Sequence, residues 1–412
     1  VDLLLNTVQP YAWGSVTALP RLLGTPPTGR PQAELWMGAH PAAPSHVDRG
    51  GGPVPLDAVI AADPTAELGP SAVRHFGPRL PFLLKLLAAD APLSVQVHPD
   101  RFQAAAGYAR ENALGIPLDA RHRSYRDSHH KPEMIVALTG FHGLCGFRPP
   151  DRCAELLEAL AVPGLDPLAG VLRTRADGGG LRDVFTALLS PPPGLLGAVG
   201  AAVRRQARRE GPHRADFAAY EAIATAHPGD RGLLPALMLR HVRLAPGEAL
   251  FLGAGIPHAY LSGLGVEVMA CSDNVLRCGL TDKHVDLPEL LKVVRFTSSA
   301  TPVLTPRPGE DRGELLYPAP VADFRLSKLH SRAGEVPRTL GAGAPQIILC
   351  TEGEIRLHGD GASLRIGPGR SVYVPARERV AVTGDGTAFR ATIASGDGPA
   401  ARRGSRGSRT AH

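Results

Sequence analysis

Apolar and polar residues alternate in short runs over much of this chain, and that alternation predicts strands. Leu80 to Leu87 is an apolar run with a single lysine, Lys85. It leads to a stretch from Leu93 to Asp100 in which Val95 and Val97 alternate with Gln96 and His98. Successive side chains of a strand point to opposite faces, so Gln96 and His98 share a face, one pleat apart. A second tract follows His130-Lys131-Pro132, where the proline enforces an extended approach. Glu133, Ile135 and Ala137 share one face of the predicted strand; Met134, Val136 and Leu138 share the other. A third tract runs from His241 to Leu244 through a Pro246-Gly247 turn to Ala249–Leu252. It continues into Gly255-Ile256-Pro257-His258, a polar Asp273–Lys283 loop lying beyond Glu267–Ala270. A turn, a strand and Gly-x-Pro-His is how a small β-barrel delivers a histidine to its mouth.

Between residues 149 and 237 the period changes. Apolar residues recur at three and four, with charges opposite, over Asp151–Leu160, Leu181–Leu189, Leu195–Arg209 and Ala215–Ala226. This predicts a helical subdomain inserted between strand-rich parts. Asp63–Gly69, Asp100–Leu114 and Leu287–Val294 also read as helices. Beyond residue 300, hairpins are expected: Gln346–Cys350 turning at Glu352-Gly353 into Glu354–Leu357, and Ser371–Pro375 followed by Arg379–Val382. They predict a second β-barrel in which His358 stands alone, so no metal is expected there. The expected fold is mainly β, with two barrel domains: residues 1–148 with 238–299, and residues 300–395. The helical insert covers 149–237, and 396–412 reads as a flexible basic tail.

Composition narrows the function classes. The chain has 412 residues, enough for two or three domains, and its 47 Gly and 40 Pro suit many short strands. The formal charge is +6, but Arg402, Arg403, Arg406 and Arg409 all lie in the tail, which leaves the body weakly basic. No basic patch is interleaved with aromatics, so neither nucleic acid nor membrane is an expected partner. The five cysteines are odd in number and form no Cys-x-x-Cys, which fits a reducing compartment. Val1 to Pro10 lacks a basic region followed by an apolar run, and no stretch has the length of a membrane span. A cytoplasmic monomer is the expectation.

Gln96, His98, Glu133 and His258 together offer two oxygen and two nitrogen donors. Such a set, without cysteine, describes an open, catalytic Zn²⁺ site rather than a structural one. A carboxylate entering an apolar strand must be paired or metal-bound. Lys131 or an arginine would also satisfy Glu133.

Several longer motifs then occur in order. They are Tyr11-Ala12-Trp13-Gly14, Glu34-Leu35-Trp36-Met37-Gly38, Gln96-Val97-His98-Pro99 and His130-Lys131-Pro132-Glu133-Met134. Pro257-His258-Ala259-Tyr260-Leu261-Ser262-Gly263 and the segment from Met269 to Arg277 follow. From the N-terminus to about residue 295 the chain resembles the type I mannose-6-phosphate isomerases, whose architecture is cupin-like. The resemblance implies one Zn²⁺ held by Gln96, His98, Glu133 and His258. It implies Arg277 as the catalytic arginine, and Ser94, Lys85 and Lys283 meeting a substrate phosphate. Lys131, Tyr260, Glu267 and Asp273 would line the same pocket. The implied reaction interconverts mannose 6-phosphate and fructose 6-phosphate through a cis-enediol(ate). Of the conceivable bases, Glu267 has the simplest chemistry and Lys131 would need a lowered pKa; a zinc-bound His98 ranks last. A non-catalytic sugar-binding or regulatory cupin is the alternative, and it gives Arg277 no task. An iron oxygenase would use two histidines and a carboxylate without Gln96.

Overall fold

The longest tracts of alternation become the longest strands. The computed structural model describes residues 1–298, 302–309, 313–361 and 363–394. The expected tail, 396–412, lies outside the described residues. The chain divides into two compact units, one built from residues 6–45 and 83–306, the other from 1–5, 46–82 and the described part of 307–412. Segments 1–5 and 46–82 thus group with the C-terminal strands, whereas the sequence-based limits put them in the N-terminal domain.

In the first unit a ten-stranded sheet runs in the order Leu239–Leu244, Phe141–Phe147, His258–Ala270, Phe82–Ala89, Glu34–Met37, Thr7–Gln9. Val95–Val97, Glu133–Ala137, Ala249–Leu252 and Leu276–Gly279 branch from it. The His258–Ala270 strand is its spine. At its start His258 lies opposite Gln96, and near its end Met269 lies opposite Glu133. Sequence reading separated the histidine-bearing turn from a strand at Glu267–Ala270; they are one strand of 13 residues.

The helices fall close to their expected limits: Pro150–Ala159, Gly178–Leu189, Leu195–Ala207 and Arg214–Ala226. Gly178–Leu189 buries Leu181, Val184, Phe185 and Leu188, the stripe its spacing predicts. Asp166–Thr174 was not expected, and it buries only Ala169 and Leu172, a stripe too thin to read. These helices do not close a core of their own. Leu181, Phe185, Val199 and Tyr220 pack in one cluster with Val95, Val97, Leu144, Ala259 and Leu276 of the strands. The back of the sheet is thereby anchored, which fixes the strand that carries Gln96. No helix of the described residues is long and apolar enough to cross a membrane.

The second unit holds a nine-stranded sheet dominated by two 13-residue strands, Gln346–His358 and Val380–Thr392, paired antiparallel along their length. This corrects the expected hairpin at Glu352-Gly353. The chain does not reverse there: one extra residue between Cys350 and Glu352 makes a bulge, and Gly353 at φ 66° follows it within the same strand. Nor do Ser371–Val374 and Val380–Thr392 form a hairpin, because each pairs with Gln346–His358 instead. Ile348, Ile355, Leu357, Val372, Val374 and Val382 fill the core. Among the described residues neither strand order returns to its start, as a closed barrel would require.

Candidate active site

His98, Glu133 and His258 are all buried, and their ligand atoms lie within 4.8 Å of one another. The ladders bring them together from three strands distant in sequence. His98 Nδ1 is 2.8 Å from the Asn274 carbonyl oxygen, and His258 Nδ1 is 2.9 Å from that of Ile256. A carbonyl only accepts, so each Nδ1 carries the proton and each Nε2 keeps its lone pair. Both Nε2 atoms face Glu133 at 3.3 Å, yet neither has a hydrogen-bond partner. Burial holds the His98 imidazole down at about 4, so it is neutral near neutral pH. Burial alone would raise the Glu133 carboxyl. His98, where acid has protonated it, and Lys131, whose Nζ is 3.2 Å away, outweigh that and hold it well below the usual range. Lone pairs thus converge on a carboxylate, an arrangement that fits a cation between them.

Glu133 opens onto a cavity of about 830 Å³. Gln96, Ser94, Lys85, Lys131, Tyr260, Glu267, Asp273, Arg277 and Lys283 all line it, so the structure gathers the expected residues around one space. His98 and His258 lie buried beside Glu133 and do not themselves line the cavity. In the wall, Lys85 is buried between Glu267, at 3.2 Å, and Glu34, at 3.5 Å. Trp36 Nε1 donates to Glu34 at 2.6 Å and the Lys85 ammonium lies over the Trp36 ring. Burial raises the Glu267 carboxyl, against the pull of Lys85. The buried Tyr260 hydroxyl has no hydrogen-bond partner, and burial raises it well above its usual value.

The far wall is a loop pinned by side chains. Asp127 accepts from the Ser272 hydroxyl at 2.9 Å and from the Asp273 amide at 2.8 Å. Asn274 Nδ2 donates to the carbonyls of Asp127 and His129, each at 2.8 Å. This loop supplies the carbonyl that orients His98. Arg277 lies opposite Gln96, just before a bulge at Gly279 whose φ is 142°. A Cβ at Gly279 would sit 2.4 Å from the Gly232 Cα, so only glycine permits this approach. Asp230 then accepts from the amides of Leu280 and Thr281, at 2.9 and 3.0 Å, and so fixes the approach to Lys283. The Arg277 guanidinium has no ion-pair partner among the described residues. Burial and then Arg126 lower its pKa.

Sequence reasoning missed Glu34, Asp230 and the Asp127–Asn274 anchor. Glu34 carried a usable signal, a carboxylate in the buried Glu34–Met37 strand. That is the argument that singled out Glu133. Asp230 and Asp127 act on backbone amides about 50 and 146 positions away, which no local pattern reveals.

The family model for the catalytic domain of type I phosphomannose isomerase matches residues 2–150. The mannose-6-phosphate isomerase of Escherichia coli K12 is 41% identical over 386 residues, covering 93% of this chain and 97% of its own length. A mutant phosphomannose isomerase from Salmonella typhimurium superposes with a TM-score of 0.88 at 38% identity, covering 96% of this chain and 99% of that one. A zinc-bound mannose 6-phosphate isomerase structure matches at the same TM-score, 0.88, and 38% identity, with 96% and 99% covered. With its fold, its motifs in order and its full-length relatives in agreement, the chain belongs to the type I mannose-6-phosphate isomerase family.

Proposed function

We propose that this protein interconverts mannose 6-phosphate and fructose 6-phosphate, with one Zn²⁺ held by Gln96, His98, Glu133 and His258. The observation that carries the reading is the pair of buried imidazole lone pairs facing one carboxylate beside a cavity with unpaired cations. Gln96 would add its amide oxygen from directly opposite His258. Bound there, zinc supplies Lewis acidity toward the two sugar oxygens. Each sheet is read as an open, cupin-like jelly roll, and the enzyme as a cytoplasmic monomer acting on a small anionic substrate, without nucleic-acid or membrane partners.

The chain's own groups cover the remaining tasks. A proton must leave the carbon beside the carbonyl and return to its neighbour through a cis-enediol(ate). Glu267 is the base: burial raises its carboxyl, which favours its taking up a proton, and Lys85 holds it in position. Lys131 is the second candidate, and its place beside Glu133 suits it to positioning as well. Arg277, with no carboxylate of the described residues within ion-pair distance, meets the developing oxyanion. Ser94 and Lys283 hold the phosphate, and Lys85 adds its charge from a distance. Tyr260 and Asp273 shape the wall.

The test is direct. Protein purified without added metal should contain about one zinc per chain and convert fructose 6-phosphate. Chelation should abolish turnover, and zinc should restore it. His258→Ala should lose the metal and about 10³-fold in rate, the scale of losing one stabiliser of developing charge. Full turnover in metal-free protein, or sugar-phosphate binding without conversion, sinks the reading.

A further inference from the structure

A second cavity, of about 420 Å³, adjoins the first and shares Arg277 and Lys283 with it. Arg121 and Arg126 line only the second. Its charges do not cancel. Of the four aspartates in its wall, Asp273 is paired with His40 at 3.3 Å, and Asp286 accepts from the Glu289 amide at 3.1 Å. Arg123 is likewise committed, to Glu111 at 3.6 Å and to the Tyr125 carbonyl at 2.7 Å. Asp119, Asp282 and Asp286 stand against Arg121, Arg126, Arg277 and Lys283.

Arg126 is the most telling of these. Its guanidinium donates to the carbonyls of Leu118 and Ala120, which aim the group without neutralising it. No carboxylate of the described residues lies within ion-pair distance. Its amide donates to Asn274 Oδ1 at 2.7 Å, so it is fastened to the loop that leads to Arg277. Like charges face one another here: burial and then Arg126 lower the pKa of Arg277, and burial, then Arg277, and last Arg126 lower that of Lys283. An oriented guanidinium with no carboxylate of the described residues in ion-pair reach, beside a void also lined by Arg121, Arg277 and Lys283, suits an oxyanion with several acceptor oxygens.

We propose that the second cavity is an anion subsite for a phosphate-class oxyanion, held by Arg126 and Arg121 and continuous with the main site at Arg277 and Lys283. The proposal rests on the isomerase reading only in giving the main cavity a phosphosugar. The anion has two possible sources: free phosphate, or the second phosphoryl group of a hexose phosphorylated at both ends.

The experiment uses the zinc-loaded enzyme and its Arg126→Met and Arg126→Lys variants, with zinc content as the check on folding. Calorimetry reads the affinity of inorganic phosphate, and inhibition of turnover reads that of a hexose 1,6-bisphosphate relative to the 6-monophosphate. If the second phosphoryl is the occupant, the bisphosphate binds at least about tenfold more tightly than the monophosphate. Arg126→Met then cuts that ratio about tenfold and Arg126→Lys restores most of it. If free phosphate is the occupant, it binds alongside saturating substrate, and Arg126→Met removes that binding. Phosphate that only competes with substrate, together with a bisphosphate ratio that Arg126→Met changes less than twofold, overturns the subsite. A wild-type enzyme without turnover would instead defeat the isomerase reading, while the calorimetry would still report on Arg126.

Discussion

Each unit buries a polar cluster, and the two are built on opposite principles. In the C-terminal sheet Arg390 donates to Glu314 at 3.0 Å and to Gln346 at 2.7 Å, and Gln346 donates to the Gly341 carbonyl at 2.9 Å. The Ser327 hydroxyl also donates to Glu314, and Arg325 reaches the same carboxylate at 3.3 Å. Donors meet acceptors, and of these side chains only Arg325 Nε lacks a partner. At His98, Glu133 and His258, acceptors meet an acceptor. A buried network that satisfies itself holds a sheet together; one that leaves lone pairs aimed at a point is waiting for something to bind.

This contrast can be broken or sharpened. Arg390→Leu should strip Glu314 of one of its two arginine partners and leave Gln346 Oε1 without its donor, destabilising the protein by about 3 kcal/mol, read as a lower urea midpoint. Zinc content of the folded fraction should stay the same; a loss of zinc without a loss of stability would reverse the assignment of the two clusters. Asn274→Ala should release the loop that orients His98 and weaken metal affinity about 10–100-fold in a chelator competition. An unchanged affinity would mean that the His98 orientation is set elsewhere. The smallest effect concerns Glu67, in the same unit as Arg390. Burial raises its carboxyl, but Arg49 and Arg377 hold it below its ordinary 4.5. A depressed carboxylate contributes stability above its unfolded pKa and loses it as pH falls through the folded one. Arg377→Ala should therefore cost about 0.5–1 kcal/mol near neutrality and move acid unfolding to higher pH. A midpoint that stays put would show that Arg49 suffices.

The candidate site was legible where chemistry broke a local pattern. Gln96 and His98 interrupt an apolar strand at period two, and Glu133 is a charge at the head of another. The helices were legible because their buried stripes are wide. The C-terminal hairpins were misread because a turn-like Glu-Gly pair sits inside a strand whose alternation resumes beyond a bulge. A bulge and a reversal share the same residues, and only the partner strand decides between them. The groups that hold the site's loops in place, Asp127, Asp230 and Asn274, act on distant backbone, so their roles appear only in three dimensions.

The spine strand hides a piece of counting. His258 and Glu267 are an odd number of residues apart, so in a regular strand they would point to opposite faces. One surplus residue between Tyr260 and Ser262 reverses the parity, and Tyr260 and Glu267 both reach the cavity. Deleting Leu261 would remove no functional group, yet it would turn Glu267 away from the face that carries His258. The spacing of this enzyme's chemistry is therefore intolerant of single-residue indels across a stretch that looks like ordinary sheet.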